Sequence, residues 1–270
     1  MRFRSVLNDW LWTLYPFFYD RMRIFPSYRE MMEKVAESLS PKKNGVYLDL
    51  GCGTGNLIQL LISKGAVVYG LDCSFSALKV AYAKIRGHKT TSARIHLFRF
   101  VDKLPFKDES LDGISAVNFI SYIPPYSVQR LVSEAKRVLK KGGRLTLVYV
   151  QTVAYTKGVS DYKLLIKQKP LQAITSTPFY LAVALMNLPM RLKTNIIHYK
   201  KEYIEKLMSN EGFKNIKTTP TYYGKTTLLT TGQKNLRRER AKKSLNPQIF
   251  DPLSRRVSFK HFNFSLRVLM

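Results

Sequence analysis

The run LDLGCGTG, residues 48–55, constrains the fold of this chain more than any other stretch. An apolar strand pattern, VYLDL (46–50), runs straight into Gly51, Gly53 and Gly55, and a helical pattern follows, with Leu57, Leu60 and Leu61 at helical spacing. Glycines at this density let the chain turn sharply and let a ligand approach the backbone. The helix behind them opens with unpaired N–H groups and the positive end of its dipole, which suits an anionic ligand group. A nicotinamide-type fingerprint would put its third glycine where Asn56 stands; here it falls one position earlier. Asp49 sits two residues before the first glycine, and Asp72 closes the next strand pattern, 21 residues after Gly51. A carboxylate at such a strand end can accept hydrogen bonds from both hydroxyls of a ribose.

Strand and helix patterns alternate from there. AVVYGLD (66–72) reads as a strand, Ser74 as the N-cap of a helix reaching about Arg86, and RIHLFRF (94–100) and LDGISAVNF (111–119) as strands. A helix is expected from Ser127 to Leu139, ended by Gly142 and Gly143, and then a strand, RLTLVYV (144–150). This order predicts an α/β fold with a doubly wound, mostly parallel sheet. Ahead of it, residues 5–39 read as helical, interrupted at Pro16 and Pro26, and 40–45 as a linker. Residues 151–199 read as irregular, with Pro170, Pro178 and Pro189 between helix-like pieces. Tyr199 to Asn210 is a helix, and 213–223 and 224–233 are two strands joined at Gly224 as an antiparallel hairpin. The expected organisation is a helical cap (1–45), the α/β domain (46–232) and a basic tail (233–270).

The chain has 270 residues and a formal charge of +27, of which the last 38 residues carry +8. Its 45% hydrophobic content excludes disorder of the whole chain. The two cysteines, Cys52 and Cys73, make no disulfide framework or zinc spacing; they read as small buried fillers in a reducing, cytoplasmic setting. There is no apolar run of about 18 residues, and the N-terminus, with Asp9 early and no small-residue cleavage site, does not read as a signal peptide. The excess charge fits nucleic acid, an anionic membrane surface or a compositional bias. The four histidines share no metal spacing; His198, beside the 151–199 insert, reads as a surface residue before a base. Pro124 and Pro125 read as a loop entering the next helix.

Residues 46–150 resemble a class I S-adenosylmethionine-dependent methyltransferase, of the broad family that includes ubiquinone/menaquinone-biosynthesis and phospholipid methyltransferases. Four segments carry the resemblance in order: LDLGCGTG, LDCSFSALKVA (71–81), LPFKDESLDGI (104–114) and RVLKKGGRLTLV (137–148). The late helix ending in EGF (211–213), then a hairpin, is similar to the family's closing elements. The resemblance implies a Rossmann-like, seven-stranded sheet and S-adenosyl-L-methionine as cofactor. It implies that the turn Gly51, Cys52, Gly53 and Gly55 flanks the methionine end, that Asp49 helps hold its amino group, and that Asp72 takes the ribose hydroxyls. Cys73 and Val101 would border the adenine. Asn118 would face the methionine portion, unless it is an ordinary turn residue, and Tyr19 would cap the pocket, unless it only packs. Where the family usually has an acidic residue for the adenine amino group this chain has Phe100; Asp102 stands in if the loop shifts.

The expected activity is methyl transfer to a small-molecule or lipid-like acceptor, held by the N-terminal cap and a lid formed by 151–199. The apolar stretch Thr177–Met190 and the aromatic N-terminus support it, and Arg2, Arg4, Arg21 and Arg23 suit peripheral contact with anionic lipid. Two further readings stay open: an RNA methyltransferase using the basic tail, and a cofactor-binding protein without transfer activity. No catalytic base is identified, and no oligomeric state follows.

Overall fold

The computed structural model describes residues 16, 19–86, 93–98, 103–152, 157–193, 196–221 and 226–236. A 3-10 turn, Asp20–Ile24, leads into α1 (Pro26–Leu39). Then follow β1 (Val46–Leu50), α2 (Asn56–Ser63), β2 (Val67–Asp72), α3 (Phe75–Arg86), β3 (Ala93–Leu97) and β4 (Leu111–Val117). The second half holds α4 (Pro125–Val138), β5 (Leu139–Val150), α5 (Lys157–Gln168), α6 (Pro170–Lys193), α7 (Lys201–Asn210), β6 (Phe213–Thr221) and β7 (Thr227–Lys234).

The seven strands form one sheet in the order β3-β2-β1-β4-β5-β7-β6. The pairs from β3 through β5 are parallel, and β7 runs antiparallel to both β5 and β6. This is the doubly wound, mostly parallel sheet with a C-terminal antiparallel hairpin that the alternation predicts. β1 is buried along its whole length, which explains its unbroken apolar run: a central parallel strand has no solvent face. Val46, Leu48 and Leu50 pack with α4 and α7 on one side of the sheet. Tyr47 points to the other, where α1, α2, α3 and the α5–α6 pair lie. α1 starts at Pro26, which needs no N–H partner in the first turn, and buries Tyr28, Met31, Met32, Val35, Ala36 and Leu39 along one stripe.

Three expectations fail for local reasons. α4 begins at Pro125 with Pro124 as its cap, and Ser127 is buried inside the helix; the fixed φ of proline starts the helix ahead of the hydroxyl. Gly142 and Gly143 do not end that helix. They lie within β5, whose pairing with β4 shifts register between Leu111 and Gly113. Gly142 takes a φ of 77°, and a Cβ on Gly143 would stand 2.8 Å from the Lys140 carbonyl, so the pair serves an irregular strand entry. Finally, 157–193 is not irregular. It is two helices, and α6 continues through Pro178 and Pro189. Burial of Leu165, Ala173 and Ser176 and the stacking of Tyr162 on Tyr180 bind the pair to each other and to Phe25 of the cap, offsetting the lost helix hydrogen bonds.

Candidate cofactor and acceptor site

The glycine turn sits at the C-terminal end of β1 and is pinned there by the amides of Gly51 and Cys52, which donate to the Leu71 carbonyl at 2.7 and 3.1 Å. All three glycines have positive φ, the region that favours glycine. Their surroundings differ. A Cβ on Gly51 would meet Phe119 at 2.9 Å and one on Gly55 would meet Ala81 at 3.0 Å, whereas among the described residues nothing lies within 4 Å of a Cβ on Gly53. Gly51 and Gly55 therefore serve packing, and Gly53 faces open space from which a ligand can touch the backbone. Gly55 caps α2 without any side-chain hydrogen bond, so the first N–H groups of that helix remain available.

Asp72 closes β2 and orders the rim of the turn. Its Oδ2 accepts from the Gly53 amide and its Oδ1 from the Ser74 amide, both at 2.8 Å. Burial raises its pKa while these amides and that of Cys73 pull it back. A carboxylate has about four acceptor sites, so one remains for a ligand hydroxyl. Ser74 in turn caps α3 through its Oγ, which accepts from the Ala77 amide at 3.2 Å, as expected.

Asp49 is buried and accepts a hydrogen bond from the Ser115 hydroxyl at Oδ1, 2.9 Å. Burial, reinforced by the nearby Asp72 carboxylate and opposed by Ser115, pushes its pKa up to about 7. Asn118, the first residue past β4, has a φ of 55°, and its Oδ1 is buried without a partner among the described residues, as is Thr54 Oγ1 in the glycine turn. Tyr19 is hydrogen-bonded to both Asn118 and Tyr28, and burial raises its pKa, so its phenol stays neutral. Tyr28 then accepts from Asn56 Nδ2 at 3.2 Å, Asn56 Oδ1 accepts from Lys84 at 2.7 Å, and Lys84 pairs with Asp20. This chain of contacts clamps the segment before α1 onto α2 and α3.

The structure thus brings together Tyr19, Asp49, Gly51, Cys52, Gly53, Gly55, Asp72 and Asn118. Cys52 is a buried filler, its Sγ 3.0 Å from where a Cβ on Gly70 would be, and burial lifts its thiol pKa well above the ordinary range. Cys73 is exposed, not the buried filler expected, because it stands in the turn just past the end of β2. Phe100, Val101 and Asp102 lie outside the described residues. His198 is exposed. Ser115, Tyr28, Asn56 and Lys84 were not singled out from sequence. For Ser115 the signal was a hydroxyl inside the otherwise apolar core of DGISAV; for the others, partners far apart in the chain left none.

A ligand suited to this site has hydroxyls for Asp72, a cationic or N–H donor for Asp49 and the unpaired Asn118 Oδ1, and an anionic group for the turn and helix start. S-adenosylmethionine carries all of these, and the donor and acceptor set fits it. Residues 48–147 match the methyltransferase domain family. An uncharacterized protein of Methanocaldococcus jannaschii is 27% identical over 72% of this chain and 71% of its own length. The sterol 4-C-methyltransferase of Caenorhabditis elegans is 28% identical over 47% of this chain and 38% of its own. The 18S rRNA (guanine-N(7))-methyltransferase of Schizosaccharomyces pombe is 28% identical over 44% and 47%. The chain therefore spans less than half the length of these last two relatives. Magnesium protoporphyrin IX methyltransferase from Synechocystis, solved with bound S-adenosylhomocysteine, shares the fold at a TM-score of 0.54 and 18% identity, over 77% of this chain and 84% of that one. The matched stretch carries the glycine turn and both strand-end carboxylates, and residues 48–147 are a class I S-adenosylmethionine-dependent methyltransferase domain.

Proposed function

We propose that this enzyme methylates a small-molecule or lipid-like acceptor held between the N-terminal cap and the α5–α6 pair. When bound, the cofactor supplies a methyl group already activated on a sulfonium. The chain's own task is to hold and orient, which supplies much of the rate in such a transfer. In this reading Asp72 receives the ribose hydroxyls, Asp49 and Asn118 Oδ1 receive the amino group, and the amides after Gly53 receive the carboxylate. Tyr19 closes the pocket with its neutral phenol toward Asn118. Asp49 is assigned to the cofactor and not to proton abstraction.

The observation that carries the acceptor class is the character of the side chains beyond the cofactor turn. Tyr19, Phe25, Tyr28, Tyr162 and Tyr180 belong to one packed cluster with Val117, the neighbour of Asn118. Lys84 beside them is already paired with Asp20. A neutral aromatic wall suits an apolar or weakly polar acceptor; a polyanion would call for unpaired cations. The test is transfer of labelled methyl from S-adenosylmethionine into a host cell extract, followed by separation into organic and aqueous phases. Label in the organic phase supports the reading. Label confined to RNA in the aqueous phase overturns it.

A further inference from the structure

Outside the cofactor site, the described residues line a cleft of about 640 Å³ between the 3-10 turn, α1, α3 and the start of α6. The turn contributes Arg23 and Ile24, α1 contributes Arg29, α3 contributes Val80 and α6 contributes Gln172. Arg21 also lines it but has a partner within the protein, so the charge offered to a ligand is that of Arg23 and Arg29. Both are exposed, and neither forms an ion pair among the described residues. The nearby carboxylates do not neutralise them. Asp20, on the cleft wall, is paired with Lys84. Glu30, beside Arg29, is paired with Lys34, and Glu33, one turn further along α1, makes no ion pair with Arg29. Lys84 feels the uncompensated charge: burial lowers its pKa, Asp20 raises it, and Arg23 lowers it again.

We propose that this cleft is a second ligand site, for a small phosphate monoester, and that its occupancy tightens cofactor binding by holding the 3-10 turn, and with it Tyr19, in place. The guanidinium fork matches two oxygens of a phosphate or a carboxylate. Two such forks without a protein carboxylate between them call for more charge than one carboxylate brings, and a phosphate monoester carries about −1.5 to −2 at neutral pH. The cleft has the size of a small-molecule site. Ile24 and Val80 give it an apolar wall and Gln172 an amide. The coupling follows from position. Arg23 lies in the turn that Tyr19 precedes, and Tyr19 is hydrogen-bonded to Asn118. A ligand spanning Arg23, Arg29 and Gln172 fastens that turn to α1 and α6. By linkage, the cofactor must then tighten phosphate binding by the same factor. The inference rests on Tyr19 as the cap of the cofactor site and not on the acceptor class.

The experiment is calorimetric titration of the full chain with S-adenosylmethionine in chloride and in inorganic phosphate at matched ionic strength. Phosphate should tighten cofactor binding by about fivefold or more. In the double variant Arg23→Gln, Arg29→Gln the affinity in chloride and the thermal transition should match wild type, which checks that it folds, and the phosphate effect should vanish. Wild-type affinity that phosphate leaves unchanged or weakens overturns the proposal. So does a phosphate effect that persists in the double variant, which assigns it to other basic segments. Tightening by vesicles of phosphatidylcholine mixed with phosphatidic acid, with none from inorganic phosphate, overturns it as well, since the arginines would then serve a bilayer surface. Tyr19→Phe tests the cap by itself and should weaken cofactor binding in chloride. If it does not, the cap reading falls and the proposal with it. If it does while wild type ignores phosphate, the cleft alone is refuted.

Discussion

Asp49→Asn separates the stability of the fold from the work of the site. Burial holds the Asp49 carboxyl at about 7, against about 4 for a free aspartate. At about 1.4 kcal/mol per pH unit, its ionised form is disfavoured in the folded, ligand-free protein by about 4 kcal/mol. The folded state thus holds one more proton than the unfolded state between about pH 4 and 7. The neutral carboxyl contributes stability that is complete below about pH 4 and lost as pH rises through about 7. Asparagine is neutral throughout and can accept from Ser115, but its amide nitrogen must also be placed, which cancels part of the gain. A net stabilisation of about 2 kcal/mol at about pH 8 is expected, a Tm rise of about 4–8 °C. The same substitution should weaken S-adenosylmethionine binding by at least tenfold, because a charge-assisted bond to the amino group, worth about 1.5–3 kcal/mol, is lost. Wild-type affinity should fall as pH drops below about 7, as protons compete for the carboxylate, while the variant's stays flat. Calorimetry and thermal unfolding across this range are the assays. A variant that melts lower than wild type at about pH 8, or wild-type affinity that ignores pH, would refute the reasoning.

Other outcomes follow from the same geometry. Asp72→Ala should weaken cofactor binding at least tenfold, and unchanged affinity in calorimetry would sink the ribose assignment. Gly51→Ala should destabilise more than Gly53→Ala, since only the former meets Phe119 at 2.9 Å; the latter should mainly impair binding, and a reversed order in thermal unfolding would contradict the division of roles. Lys84→Met leaves the half-buried Asp20 unpaired and should cost about 3 kcal/mol, with faster amide exchange across 20–24; protection equal to wild type would show that the clamp is idle. Truncation after Leu236, beyond the end of β7, should leave the thermal transition and cofactor binding intact, and a collapsed transition would place structural work in the tail.

Much of the fold was readable because burial on both faces writes itself as unbroken apolar runs. VYLDL and AVVYGLD could only be inner strands, and the glycines between strand and helix located the ligand end. Signals failed where two of them competed. Pro125 and Ser127 both announce a helix start, and the ring's fixed φ prevailed. Gly142 and Gly143 read as a helix stop because local sequence does not say that a register shift lies opposite them. Pro178 and Pro189 suggested breaks in a helix that tertiary packing holds. In the site, Asp49 and Asp72 were legible from their distance to the turn. Ser115, and the line from Tyr28 through Asn56 to Lys84, were not: they depend on partners such as Asp20, 64 residues from Lys84, that meet only after the sheet is wound.

The position of β7 bears on how this protein is made. The last strand described sits inside the sheet, between β5 and β6. On the ribosome, β5 is synthesised with an open edge and stays so while the α5–α6 pair, α7 and β6 emerge, and β6 has no neighbour until β7 arrives. An unpaired edge carrying Leu145, Leu147 and Tyr149 invites pairing with another chain, and its closure depends on contacts distant in sequence, which form slowly. A premature stop between β6 and β7 would therefore yield a nearly complete but sticky polypeptide, a client for chaperones and proteases and not a weakened enzyme.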